Sequence, residues 1–232
     1  MTAKSKNPAR ILIADDHPIM RHSLVRLLGS QPDLMCCGES SSGAETLRLA
    51  EKLRPDLIIL DLRLKKVDGL ELIKNLLARV AGLKILVVSE HEQPLFAERA
   101  LRAGALGYLV KDASAEALLA AIHAVLAGNL HLSENITRKL LQRVVSANSD
   151  GDALSTLSDR QLHVLYLLGS GLSTRDIANS LNVSFKTVET HRENLKRRLK
   201  LKTASELIRF ASLVIQSDLD GSPSPAVQSS TA

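Results

Sequence analysis

The chain has 232 residues, 45% hydrophobic and 24% charged, which gives room for two folded domains and excludes a disordered polymer. Aromatics make up 2%, with no Trp, so a base-stacking platform for single-stranded nucleic acid is excluded, and no run approaches the ~18 apolar residues of a membrane span. The formal net charge of +5 is unevenly spread: residues 155–216 carry ten Lys and Arg against five Asp and Glu, whereas residues 1–128 carry 17 against 15. A basic small segment beside a near-neutral larger one points to a polyanion partner or to a merely solvated surface, and composition does not separate the two.

The first ten residues, MTAKSKNPAR, run into an apolar stretch without a signal-peptide core. From there to residue 128 two patterns alternate. Short aliphatic runs occur at residues 10–14, 34–37, 57–60, 85–88 and 105–110, each too short for a helix and typical of buried strands. Between them, apolar residues recur three and four apart, as in Ile19, Met20, Leu24, Leu27 and Leu28, in Leu70, Ile73, Leu76 and Leu77, and from Ser114 to Ala127. Five strands alternating with five helices predict an α/β fold, a five-stranded parallel doubly wound sheet of flavodoxin-like type. Cys36 and Cys37 are adjacent in the second run, which excludes a disulfide framework or a Cys-based zinc site and fits a reducing, cytoplasmic home.

In open parallel sheets, ligands bind beyond the carboxyl ends of the strands. Asp15 and Asp16 follow the first strand, Asp61 the third, Ser89 the fourth and Lys111 the fifth. A lone Asp after a strand is ordinarily a cap or turn residue; five suitable residues at four strand ends are harder to dismiss. Three carboxylates cannot all ionise together unless a cation neutralises them. Hard oxygen ligands suit Mg²⁺, and a carboxylate beside such an ion is a candidate acceptor for a phosphoryl group. Lys111 and Ser89 could then donate to phosphoryl oxygens.

Residues 129–154 contain a predicted short helix, Glu134 to Val145, followed by the polar stretch SANSDGD, and read as a linker. Residues 155–216 read as all helical, with helices over about 158–168, 173–181, 184–199 and 203–215. Ser158 with Gln161 and Thr203 with Glu206 predict capping boxes, and Ser173 and Ser184 predict N-caps. Ser173 to Leu199 forms a helix, a short turn and a second helix. Val188, Leu195 and Leu199 line the core side of that second helix, and the small Ala178 permits a close crossing. Its opposite face carries Lys186, Thr190, Glu193 and Arg197, with Glu189 and Lys196 alongside. Such a face can enter a DNA major groove, yet short helical hairpins with a charged face are common. Residues 217–232 are polar and Pro/Ser-rich and predict a disordered tail.

Two resemblances sharpen this. Residues 10–128, through ILIADDHP, LIILDLRLKKVDG, VVSEH and GYLVKD, resemble the receiver domain of two-component response regulators. The resemblance implies phosphorylation of Asp61 by a sensor histidine kinase. It also implies Mg²⁺ held by Asp16, Asp61 and the Arg63 carbonyl with help from Asp15, a switch pair of Ser89 and Tyr108, and Lys111 on the phosphoryl group. His17, in the DDHP sequence, is a candidate ligand or base, and the resemblance makes it a loop residue. The loop departs from the family at Lys65, where proline is usual, and at Lys66. Arg63 and His91 occupy the positions that set phosphoryl lifetime in the family.

Residues 157–211 resemble the LuxR-type helix-turn-helix domain of the NarL/FixJ response regulators, with Gln161 and His163 in place of glutamates common there. That resemblance implies binding to double-stranded promoter half-sites through Lys186, Thr187, Glu189, Thr190, Arg192, Glu193, Lys196 and Arg197. It implies homodimerisation on activation through Leu207, Ile208, Ala211 and Val214, a stripe that can equally pack inward. His191 is expected to pack in the core. The whole then reads as a transcription regulator that catalyses only its own phosphorylation and dephosphorylation. Two rivals stand beside it. One is a Mg²⁺-dependent phosphohydrolase, which would want an acid where Arg63 stands; the other is a DNA binder indifferent to phosphate, with a degenerate receiver.

Overall fold

The computed structural model describes residues 7–64, 69–90, 94–146, 153–181 and 183–220. The chain divides into two compact units, Met1–Ile136 and Thr137–Ala232. Lys65, Lys66 and His91, the polar stretch 147–152 and the terminal residues 221–232 lie outside the described residues.

The first unit is a parallel sheet whose strands, β1 (Ala9–Ala14), β2 (Leu34–Ser40), β3 (Leu57–Leu60), β4 (Lys84–Ser89), β5 (Gly107–Val110) and β6 (His131–Leu132), lie in the order 2-1-3-4-5-6. The order reverses at β1, so the crevice beyond the ends of β1 and β3 is the switch point of the topology. The connecting helices are α1 (Pro18–Gly29), α2 (Gly43–Leu53), α3 (Gly69–Arg79), α4 (Pro94–Arg102) and α5 (Ala115–Leu126). β3 reads Leu-Ile-Ile-Leu and is buried throughout, as a central strand covered on both faces must be. One face carries Ile11, Ile13, Leu57, Ile59, Leu86 and Val88, packed with Leu24 and Leu28 of α1 and Leu118, Ile122 and Val125 of α5.

The sixth strand corrects the five-stranded expectation. His131–Leu132 pairs with Gly107–Tyr108, so the sheet runs into residues read as linker. Two residues carry no periodicity, which is why the pattern does not announce them. β2 likewise runs three residues past the apolar run, with a register shift opposite Ile11 and Leu12.

Helix α6 (Glu134–Ser146) spans the division between the units. The second unit consists of a 3₁₀ turn (Ala153–Thr156) and helices α7 (Asp159–Gly169), α8 (Thr174–Ser180), α9 (Phe185–Arg198) and α10 (Ala204–Asp220). Ser158 and Gln161 form the expected capping box, and Ser173 and Ser184 each accept a backbone N–H three residues on. At α10 the box is displaced. Thr203 accepts the Glu206 N–H, but the Glu206 carboxylate accepts the N–H of Lys202 instead of that of Thr203. This helix reaches Asp220, so residues 217–220, expected in the disordered tail, are helical. α7 and α10 cross so closely that a Cβ on Gly169 would meet the Ala211 carbonyl. Among the described residues no helix is long and apolar enough to cross a membrane.

A carboxylate pocket and a basic helix as candidate functional sites

The parallel ladder runs one residue past β3 and β5 and sets the pocket. Asp61 N–H donates to the Ala14 carbonyl at 2.8 Å, and Lys111 N–H donates to the Ser89 carbonyl at 2.7 Å. These bonds bring the ends of four strands level. The Lys111 ammonium lies 2.8 Å from Asp61 Oδ2 and 2.8 Å from Asp15 Oδ2. The second oxygens are also engaged: Asp15 Oδ1 accepts the His17 N–H at 2.7 Å, and Asp61 Oδ1 accepts the Arg63 N–H at 3.0 Å.

Asp61 and Asp15 are buried. Burial pushes the Asp61 carboxyl above its ordinary range, and Lys111 and the Arg63 N–H offset only part of that. For Lys111, burial pushes the ammonium down, but the facing carboxylates more than reverse it, and its pKa lies above the usual value.

The expected acids therefore meet. Asp15, Asp16, His17 and Asp61 each bring one ligand atom to within 4.8 Å of the others, a grouping that could hold a metal ion. Within it Asp16 Oδ1 is buried and, among the described residues, accepts no hydrogen bond; His17 Nδ1 approaches to 3.0 Å without hydrogen-bond geometry. An anionic oxygen left bare inside protein is costly unless a cation satisfies it. This oxygen, beside the carboxylates of Asp15 and Asp61, fits a hard divalent ion.

Two more side chains join the cluster, of which the sequence reading missed Glu90. His17, read as a loop residue, turns its ring into the cluster, with Nδ1 3.3 Å from Lys111 Nζ and Nε2 3.6 Å from Glu90 Oε1. Glu90, one residue past β4, also pairs with the Arg63 guanidinium. The position two beyond Asp61 thus presents a base tied to an acid, not the acid/base carboxyl a phosphohydrolase would place there. Ser89 stands half-buried at the end of β4, and Tyr108 is fully buried, with its ring already inside the unit.

In the second unit, Val188, Leu195 and Leu199 are buried as expected, and α9 turns Lys186, Thr190, Glu193 and Arg197 to solvent. Thr187, Glu189, Arg192 and Lys196 are half-buried. The Arg192 guanidinium donates to Thr174 Oγ1 at the start of α8 and, at 2.9 Å, to Glu189 Oε1. These two residues, expected as DNA contacts, are engaged in holding the helix pair together. Glu193 pairs with Lys196 at 2.9 Å. Of the expected dimer stripe, Leu207, Ala211 and Val214 are at most 1% exposed, and only Ile208 reaches the surface. A 3.6-residue apolar period marks a covered face but does not say what covers it. Leu213, absent from the expected stripe, is exposed beside Ile208 and Ser212.

His191 is half-buried on α9, and among the described residues its Nδ1 has no hydrogen-bond partner. Burial, and then the charge of Arg160, hold its pKa below the ordinary 6.5. The unfolded chain therefore takes up the proton first. Stability from this group is present above about 6.5 and is lost as pH falls through the folded value. Thermal unfolding of His191→Gln should show a flatter loss of Tm between about pH 7 and pH 5 than the parent; parallel curves would refute this.

Comparison with known proteins agrees with both halves. Residues 11–123 match the response regulator receiver domain, and residues 155–211 match the bacterial regulatory proteins of the luxR family. The nitrate/nitrite response regulator protein NarL of Escherichia coli is 37% identical over 206 residues, covering 87% of this chain and 94% of NarL. NarP of the same organism is 39% identical over 199 residues, covering 84% of this chain and 91% of NarP. Among solved structures, RcsB of Salmonella enterica serovar Typhimurium, bound to promoter P1flhDC in the presence of phosphomimetic BeF3-, aligns with a TM-score of 0.60. Its sequence identity is 26%, over 89% of this chain and 99% of RcsB.

Proposed function

This chain belongs to the two-component response regulators of the LuxR family, and we propose on that premise that transfer of a phosphoryl group to Asp61 controls its pairing and its grip on promoter DNA. The observation that carries the reading is the buried Asp61 carboxylate at the switch point, bonded to Lys111 beside Asp15 and the bare oxygen of Asp16. The donor is a sensor histidine kinase, and the setting is the cytoplasm.

Asp15, Asp16 and Asp61, with the Arg63 carbonyl, would hold Mg²⁺, which when bound supplies positive charge to the oxygens of an incoming phosphoryl group. An Asp61 oxygen attacks phosphorus, the bond to the donor nitrogen or oxygen breaks, and an aspartyl phosphate forms. The Lys111 ammonium, already 2.8 Å from Asp61, is placed to donate to the new phosphoryl oxygens, and Ser89 is a second donor. The Arg63–Glu90 pair, with His17 against Glu90, edges the entrance and orients what enters. The chain's own phosphorylation and its reversal are the only chemistry this reading assigns to it.

In the helical unit, Lys186, Lys196 and Arg197 would neutralise phosphates, while Thr187, Thr190 and Glu193 face the grooves. Arg192 and Glu189 position the reading helix. Pairing of two copies would use the exposed Ile208 and its neighbour Leu213.

The test is treatment of the full chain with acetyl phosphate and Mg²⁺, followed by mass, oligomeric state and promoter binding. A phosphate-sized mass increase, pairing and tighter, strongly salt-dependent DNA binding are expected. No mass change with donor in excess would overturn the reading. A second reading, DNA binding without phosphate control, draws on Tyr108, whose ring is already inside. It would be favoured by equal affinity with and without donor.

A further inference from the structure

The basic helix carries a residue that its polar role does not explain. Phe185 is the first residue of α9 and is 54% exposed, although the core-facing residues of the same helix, Val188 and Leu195, are fully covered. Ser184 immediately before it caps the helix, its hydroxyl accepting the Thr187 N–H at 3.0 Å, so the position of Phe185 is set by a well-formed helix start.

Its surroundings say what kind of partner the ring meets. Phe185 stands four residues before Glu189 and seven before Arg192, so it lies on the half-buried flank of the helix, and it is exposed because it opens the first turn. Lys186 beside it is exposed, the first turn holds no acid, and α9 has five Lys and Arg against two Glu. That charge suits a polyanion better than an acidic-residue-poor apolar groove. In a helix-turn-helix, the beginning of the second helix is the end that approaches base edges. The apolar group that a duplex offers in its major groove is the thymine methyl.

We propose that Phe185 reads a thymine methyl in the major groove and is a specificity-determining residue of the DNA interface. The inference rests on the DNA-binding reading above and deepens it: Lys186 and Arg197 give affinity without sequence preference, and Phe185 selects T at one position of each half-site.

The test uses the full chain, treated with acetyl phosphate and Mg²⁺, and a duplex it selects from a random pool. Each thymine is replaced in turn by deoxyuridine, which removes only the methyl. The parent is expected to lose about tenfold in affinity at one thymine per half-site. Phe185→Ala should bind the unmodified duplex about tenfold more weakly and be indifferent to that replacement, while Phe185→Leu keeps the preference. Unchanged circular dichroism is expected for both, since the side chain is exposed.

Three outcomes overturn the inference. The first is a parent indifferent to every replacement while binding the duplex tightly, which spares the DNA-binding reading. The second is Phe185→Ala binding as tightly as the parent or tighter, which would make the ring a contact for protein. The third is a parent that enriches no duplex at all, which overturns the DNA-binding reading as well.

Discussion

Asp61→Asn is expected to take up no phosphate from acetyl phosphate and Mg²⁺, and to lose the donor-driven gain in DNA affinity, while becoming more heat-stable at neutral pH. The amide keeps the shape of the acid, and its single oxygen can accept from the Arg63 N–H or from Lys111, one of the two bonds that Asp61 makes through separate oxygens, so the fold is retained. What it lacks is the anionic oxygen that attacks phosphorus. The stability gain follows from burial. The Asp61 pKa lies above the ordinary 3.8, so the folded chain holds that proton to higher pH than the unfolded chain. Stability credited to the protonated acid is present below 3.8 and is lost as pH rises through the folded value. At neutral pH the parent bears this loss and the variant does not. The Tm of the variant is expected to lie above that of the parent at neutral pH, and the difference should shrink on acidification. Phosphate on Asp61→Asn would move the acceptor to Asp15 or Asp16 and undo the assignment.

Lys111→Ala should be the more damaging change. The ammonium is the shared partner of Asp61 and Asp15, whose side chains are 0% and 4% exposed. Removing it leaves two buried carboxylates facing each other beside Asp16, and breaking a buried pair in this way costs about 3 kcal/mol or more. The loss should be smaller at acid pH, where Asp61, whose carboxyl burial already raises above its ordinary range, takes up a proton, and smaller again with Mg²⁺, which would supply the missing charge. Urea unfolding at two pH values, with and without the ion, checks this. Equal destabilisation in all four conditions would mean that Lys111 acts by packing alone. Phosphate uptake should also fall more than tenfold, since the donor to the phosphoryl oxygens has gone.

The acids of the pocket were legible because each ends an apolar run, and a run of four aliphatic residues such as 57–60 fixes where its strand stops. Glu90 was not, and His17 only as a candidate. Each lies in a loop, and the ring of His17 joins the acids only because the chain turns back there, a tertiary event without a periodic trace. The α9 face was legible from the spacing of Val188, Leu195 and Leu199, but the Arg192 link to Thr174 spans 18 residues and two helices. The stripe on α10 left two readings open because core and interface share one period.

The tie from Arg192 to Thr174 and Glu189 has a consequence for how such a protein changes its targets. It holds α8 and α9 together, and it lies off the exposed row of Lys186, Thr190, Glu193 and Arg197. Those outward letters can be rewritten one at a time without loosening the mount beneath them. New promoters can therefore be acquired at little cost in foldedness, and two copies of the gene can diverge in what they regulate before they diverge in shape.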